Sequence, residues 1–126
     1  PAVPSDLTSH SILQAGNIEN AANWPFQKEG DRLTVRVTPR MTVNDNQAVL
    51  DLVRAGRGIG RLLSYQVALA LDSGAVVPVL EAFAAPSLPI HILHGEGHRT
   101  SAKLRVAADL LRDRLRANPT LRRANL

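Results

Sequence analysis

Residues 40–63 read Arg40-Met41-Thr42-Val43-Asn44-Asp45-Asn46-Gln47, then Ala48 through Ala55, then Gly56-Arg57-Gly58-Ile59-Gly60-Arg61-Leu62-Leu63. Arg40 to Val43 predicts a short strand. Asn44 then stands where a helix cap is needed. Its side-chain oxygen can accept an orphan backbone N–H, and Gln47 follows three residues later as a capping box requires. Val49, Leu52 and Val53 fall on one helical face. Gly56 is placed to end the helix in the left-handed conformation. Ile59 to Leu63 is again short and apolar, a second strand. Strand, capped helix, glycine, strand is a βαβ unit, and such a crossover joins parallel strands. The expected class is α/β, a mixed but mostly parallel sheet flanked by helices. The expected geometry sets the helix between two side-by-side parallel strands, its Asn44 end facing open space.

Outward from that unit the pattern is shorter-ranged. On the N-terminal side, Pro1 to Ser9 reads as a linker, His10 to Ala15 as a strand and Asn17 to Asn23 as a polar loop. Leu33, Val35 and Val37 alternate with Thr34, Arg36 and Thr38, the period of two of a half-buried strand. Gly30 lies between this run and Trp24 to Phe26, which predicts a β-hairpin that Pro39 interrupts. Trp24, the single tryptophan, is expected to anchor the hairpin in the core. On the C-terminal side, Tyr65 to Leu71 reads as a helix stopped by Asp72-Ser73-Gly74. Val76 to Leu80 and Ile90 to His94 read as strands, separated by a proline-containing loop at 84–89 and followed by a turn at 95–97. A last helix is expected from Thr100 or Ser101, with Leu104, Ala107, Ala108, Leu111 and Leu115 as its buried stripe and Pro119 at its end.

The chain has 126 residues, 44% of them apolar and 21% charged. That is enough for one compact domain and too apolar for disorder. It has no cysteine, which excludes disulfide scaffolds, thiolate nucleophiles and cysteine-based zinc sites. No apolar run has the length of a membrane span, and no signal peptide is visible. The chain opens Pro1-Ala2-Val3-Pro4 and is expected to be a piece of something longer. The net charge of +4 is unevenly spread: up to His98 seven Lys/Arg stand against nine Asp/Glu, and from Arg99 onward eight stand against two. A basic end can contact nucleic acid. Here no aromatic residue interleaves with the arginines to stack bases, so a solvated helix face is expected.

Candidate chemistry is sparse. His91, His94 and His98 invite a metal reading, but residues three apart on a strand point to opposite faces, so no metal site is expected. No Ser sits in a Gly-x-Ser-x-Gly context, no paired carboxylates stand out, and no catalytic residue or cofactor is assigned. Gly56-Arg57-Gly58-Ile59-Gly60 superficially resembles a phosphate loop. It leaves a helix and enters a strand, the reverse of a dinucleotide fingerprint. The better candidate is the other end of that helix. Met41-Thr42-Val43-Asn44-Asp45 runs from the C-terminal end of a strand into a helix N-terminus, where free N–H groups and the helix dipole favour an anion or a carboxylate oxygen. The competing possibility is that Asn44 only caps the helix and Asp45 repels an anion.

At this point the residues resemble the C-terminal part of LysR-type transcriptional regulators. Pro4-x-Asp6-Leu7-x-x-His10 looks like the connection between the two lobes of that family's sensor. Trp24-x-Phe26-x-x-x-Gly30 looks like its hairpin. Asn44-Asp45, Ala48 and Gly56-x-Gly58-Ile59-x-x-Leu62 form its most recognisable stretch. Leu71-x-x-Gly74-x-Val76-Val77-x-Val79-Leu80, Pro89-Ile90 and Ser101-x-Lys103-x-Arg105 complete the order. Ser64 stands where a proline is usual, Arg57 and Arg61 where small or apolar residues are commoner, and Ala107 where an aromatic is common. The resemblance implies one lobe of a type 2 periplasmic-binding-protein-like fold. Residues 1–98 would form the second lobe with its lead-in, and 99–126 a helix and basic tail packing towards a first lobe. It implies a small-molecule effector, with Thr42, Asn44 and Asp45 at the effector edge. It also implies a cytoplasmic homo-oligomer, no membrane partner, and DNA contact only through a separate helix-turn-helix domain. A solute-binding protein or a binding-protein-like enzyme is the alternative. A lobe without its partner exposes apolar surface and is expected to self-associate.

Overall fold

The computed structural model describes residues 1–16, 22–93, 95 and 102–122. The loop expected over 17–23, the turn at 95–97 and the first residues of the terminal helix lie wholly or partly outside them. So do His94 and His98. The described chain is α/β. Strands β1 (Ile12–Ala15), β4 (Pro39–Val43) and β5 (Ile59–Gly60) form a parallel sheet in the order β4-β1-β5, and β2 (Asn23–Lys28) with β3 (Asp31–Arg36) forms a separate antiparallel hairpin. Helix α1 (Asn46–Arg54) connects β4 to β5, and α2 (Ser64–Asp72), α3 (Ala102–Ala117) and the short α4 (Pro119–Arg122) follow.

The βαβ unit expected from residues 40–63 is present, with one correction. Its two strands are not neighbours, because β1 lies between them and pairs with both: Gln14 is opposite Thr42 and Ala15 opposite Val43 on one side, Ile12 opposite Ile59 on the other. The second strand is also shorter than the apolar run Ile59 to Leu63, ending at Gly60. Alternation along β1 divides the core in two. Ile12 packs with Leu7, Trp24 and Val37 on one face of the sheet. Leu13 and Ala15 pack with Val49 of α1 on the other, with Val43, Leu52, Val53 and Leu62 around them. Trp24 is the buried hairpin anchor expected of it.

Two glycines let backbone and helix close on β1. Gly58 passes so near Ser11 that a Cβ there would collide with the Ser11 carbonyl oxygen. A Cβ on Gly60 would lie 2.7 Å from Val49 Cγ1 and 3.0 Å from Val53 Cγ2, so α1 rests where any side chain at 60 would be. The turn glycines behave as their positions demand. Glu29 and Gly30 both take positive φ, 52° and 95°, the two-residue turn whose twist matches a hairpin. Gly56 ends α1 at φ 69°, with Arg57 N–H donating to Leu52 O and Gly56 N–H to Val53 O, a Schellman closure.

Other expectations change. Residues 4–9 are no linker: they form a 3-10 helix with Pro4 and Leu7 buried. Asp6 Oδ2 accepts the amides of Ala2 and Val3 at 2.7 and 3.1 Å. Pro39 does not interrupt a strand; it begins β4. Asp45, not Asn44, caps α1, its Oδ2 accepting the Ala48 N–H at 3.3 Å. Gln47 reaches forward to Asp51 instead of back to the cap. Neither Val76–Leu80 nor residues 90–93 form a strand. On α3 the expected buried stripe is not buried: Leu104, Ala108 and Leu115 are half-buried, Ala107 and Leu111 exposed. The helix makes its main contacts with α4, which in turn meets α2.

Three predictions follow from this packing. Gly60→Ala costs about 1–3 kcal/mol by overpacking, and a Val49→Ala change, made together with it, recovers part of that loss in a urea-denaturation double-mutant cycle. Asp45→Ala costs about 1 kcal/mol of stability as a lost cap, whereas Asn44→Ala stays within roughly 0.5 kcal/mol. The amides of Val3 and Ala2 hold the Asp6 carboxyl below the ordinary aspartate value of 3.8. Because the folded value is the lower one, its contribution is present above the unfolded pKa and is lost as pH falls through the folded one. Carboxyl titration by NMR should show the depression, and Asp6→Asn should remove the corresponding acid sensitivity.

Candidate functional site

The three residues singled out for an effector are placed together by one strand end. β4 carries Thr42 to the C-terminal edge of the sheet, and the chain turns through Asn44 and Asp45 into α1. All three are exposed. Their neighbour is the end of β1, where the Gly16 N–H donates to Val43 O at 2.6 Å. Thr42 leans over Gly16: a Cβ on that glycine would sit 2.7 Å from Thr42 Cγ2. A side chain at 16 would therefore displace Thr42.

The polar groups at this edge differ in what they already do. Asp45 is engaged, its carboxylate taking one of the first-turn amides of α1. That cap reduces the positive end of the helix and leaves Asp45 as a fixed negative group. Among the described residues, no hydrogen bond uses the Thr42 hydroxyl or the Asn44 side chain. Both can donate to or accept from a ligand. Gln14, opposite Thr42 in register, adds a third group that the sequence reading passed over. Its Oε1 is shut away from solvent and has no hydrogen-bond partner among the described residues. The signal was available: a glutamine set inside the apolar run Ile12-Leu13-Gln14-Ala15 is out of place unless something answers it.

Elsewhere the surface offers less. A shallow, open depression of about 510 Å³ lies between the hairpin and the segment after residue 80, lined by Gln27, Glu81, Ala82, Ala84, Pro86 and Ser87. Lys28 Nζ stands 5.6 Å from the centre of the Phe83 ring near it. It does not reach the β4–α1 corner. Arg57 and Arg61 are both exposed. Partial desolvation lowers the Arg61 pKa, but an arginine keeps its charge at any ordinary pH. His91 is exposed, and no group of three His, Asp or Glu among the described residues is arranged to hold a metal ion. No described helix is long and apolar enough to cross a membrane.

Comparison with known proteins gives this geometry a context. Residues 1–116 match the family described as the LysR substrate binding domain. The chain is 27% identical over 116 residues to the HTH-type transcriptional regulator PtxR of Pseudomonas aeruginosa, covering 92% of this chain and 37% of that protein. It is 31% identical over 91 residues to the putative LysR family substrate binding domain-containing protein YagP of Escherichia coli, covering 71% of this chain and 66% of that one. The chain thus spans little more than a third of PtxR, and a third (33%) of a Haemophilus influenzae HTH-type regulator that it also matches. Among solved structures, the regulatory domain of AphB from Vibrio vulnificus superposes with a TM-score of 0.63 at 18% identity, over 90% of this chain and 55% of that one. At that identity the likeness speaks to the fold, a parallel sheet with flanking helices. Taken with a family match over residues 1–116, the architecture makes this chain a member of the LysR substrate-binding domain family of transcriptional regulators.

Proposed function

We propose that this chain is the effector-sensing lobe of a LysR-type regulator, and that Thr42, Asn44 and Asp45 form its edge of a small-molecule site. The observation that carries the reading is the placement of Thr42 and Asn44. They stand exposed, with uncommitted polar groups, at the C-terminal end of a parallel strand, where ligands of open α/β sheets gather. Asp45 adds a fixed negative charge, which favours a ligand presenting a donor or a positive group on that side.

In this reading residues 1–98 make the second lobe and 99–126 pack towards a first lobe supplied by a longer protein. The apolar residues that α3 leaves exposed, Val106, Leu110 and Leu111, support such a covering partner. The effector acts by population shift: it binds one arrangement of the two lobes more tightly than another and so biases a homo-oligomer. DNA is contacted by a separate helix-turn-helix domain. The lobe itself performs no catalysis, and the regulator works in the cytoplasm.

The test joins this chain to a first lobe and screens metabolites by thermal shift. A true effector at a hundred times its Kd stabilises the two-lobe protein by about 2.7 kcal/mol. Thr42→Ala and Asn44→Ala should each weaken binding by about 1 kcal/mol, roughly fivefold, with the unliganded melting temperature unchanged. A folded two-lobe protein that no small molecule stabilises would remove the basis of the proposal.

A further inference from the structure

β5 ends at Gly60, but its alternation of faces runs further. A Cβ on Gly60 would meet Val49 and Val53 of α1, and Leu62 packs on that same α1 face of the sheet. Arg61, between them, turns to the opposite face, where Ile59 packs with Ile12. Gly60 is opposite Leu13, so the next step of the register sets Arg61 beside Gln14. Thr42 flanks Gln14 on the other side. It shares that face, because its neighbour Val43 packs towards α1 and its own methyl group stands over Gly16. Thr42, Gln14 and Arg61 thus form a row across the C-terminal ends of β4, β1 and β5, about 10 Å from the first strand to the last.

The row is electrostatically unanswered. Gln14 Oε1 is shut away from solvent and has no hydrogen-bond partner among the described residues. A buried acceptor in that condition costs stability until a donor reaches it. Arg61 is partly desolvated, and burial lowers its pKa with no carboxylate offsetting it. Among the described residues, ion pairs engage Arg112 and none engages Arg61. A partly desolvated cation without a counterion favours an anion.

We propose that Arg61 reads the charge of the effector, and that the effector is a small carboxylic acid with a hydroxyl or amino group next to its carboxylate. This inference rests on the effector reading of the Thr42 edge and adds the ligand's chemical class. The planar guanidinium takes the carboxylate through two parallel hydrogen bonds. The neighbouring hydroxyl or ammonium donates to Gln14 Oε1, one strand spacing away. Asp45, the fixed negative group at the β4 end, repels the carboxylate and so orients it towards β5.

Thermal shift and calorimetric titration of the two-lobe protein test this with three sets of probes. The first is the 2-hydroxy and 2-amino acids of three to six carbons. The second is the same acids without the 2-substituent, and the third the primary amides of the first set. An acid of the first set should bind. Its unsubstituted counterpart should bind roughly fivefold more weakly, and its amide roughly tenfold or more weakly. Arg61→Gln should raise the Kd of the acid roughly tenfold or more and leave that of the amide unchanged, a selectivity that a merely structural role would not produce. Arg57→Gln removes the same charge from the opposite end of β5 and should change neither. Both arginines are exposed, so circular dichroism should show both variants folded. Gln14→Met removes the acceptor. It should level the affinities of substituted and unsubstituted acids without lowering the unliganded melting temperature, since Oε1 has no bond to lose.

The inference fails while the effector reading stands if a neutral or cationic molecule stabilises the protein through Thr42 and Asn44 and no acid does. It also fails if acids and amides bind equally, or if Arg57→Gln weakens the acid as much as Arg61→Gln. Stabilisation by no small molecule of any class removes the effector reading, and this inference with it.

Discussion

The four residues of β1 meet four demands at once. Their backbone must pair on both edges, with β4 and with β5. Their side chains must fill a core on each face, Ile12 towards the hairpin and Leu13 with Ala15 towards α1. A strand buried on both faces reads as a continuous apolar run, and only Gln14 departs from that. The two glycines of β5 and its approach follow from the same demand. With the edge of β1 as close as the Ser11 carbonyl, residue 58 has no room for a side chain, and with α1 covering the sheet, neither has residue 60. The stretch first read as a helix stop and tight strand entry is thus a steric requirement of the central strand.

This arrangement ties site to core. Thr42 is exposed, yet its height above the sheet is set by Gly16 beneath it and by its pairing with Gln14. Asp45 holds the first turn of α1, whose Val49 is among the most buried side chains of the chain. A ligand touching Thr42 and Asp45 would be gripped by groups referenced to the β1 backbone, not to a loose loop. That is how small α/β lobes position polar groups with little chain.

What the sequence disclosed followed the range of the forces involved. The hairpin, the α1 stripe and the glycine stops depend on residues a few positions apart, and periodicity with turn chemistry found them. The strand order did not, because nothing within residues 40–63 says that an earlier strand will slip between the two. The cap moved by one residue, from Asn44 to Asp45, since both can accept the same amide and only the exit angle of β4 decides. Val76–Leu80 and Ile90–Leu93 have strand composition but no paired neighbour, and a strand exists only by pairing. The α3 stripe is amphipathic by sequence, while its burial depends on what stands opposite. At the candidate site, the strand-to-helix turn that exposes Thr42 and Asn44 was legible from the sequence. For Gln14 only its oddness inside an apolar run was legible, because its place opposite Thr42 is a fact of register.

The order β4-β1-β5 also bears on how the lobe comes into being. β1 emerges from the ribosome first, yet both its partners are made later, the second only after α1 is complete. The β2–β3 hairpin can close as soon as it is synthesised, through its own two-residue turn. The central strand must wait, apolar on both sides and unpaired. Assembly of the sheet is therefore governed by closure of long chain loops, which slows folding, and a translation pause or a bound chaperone before β5 would act on β1 more than on any other element.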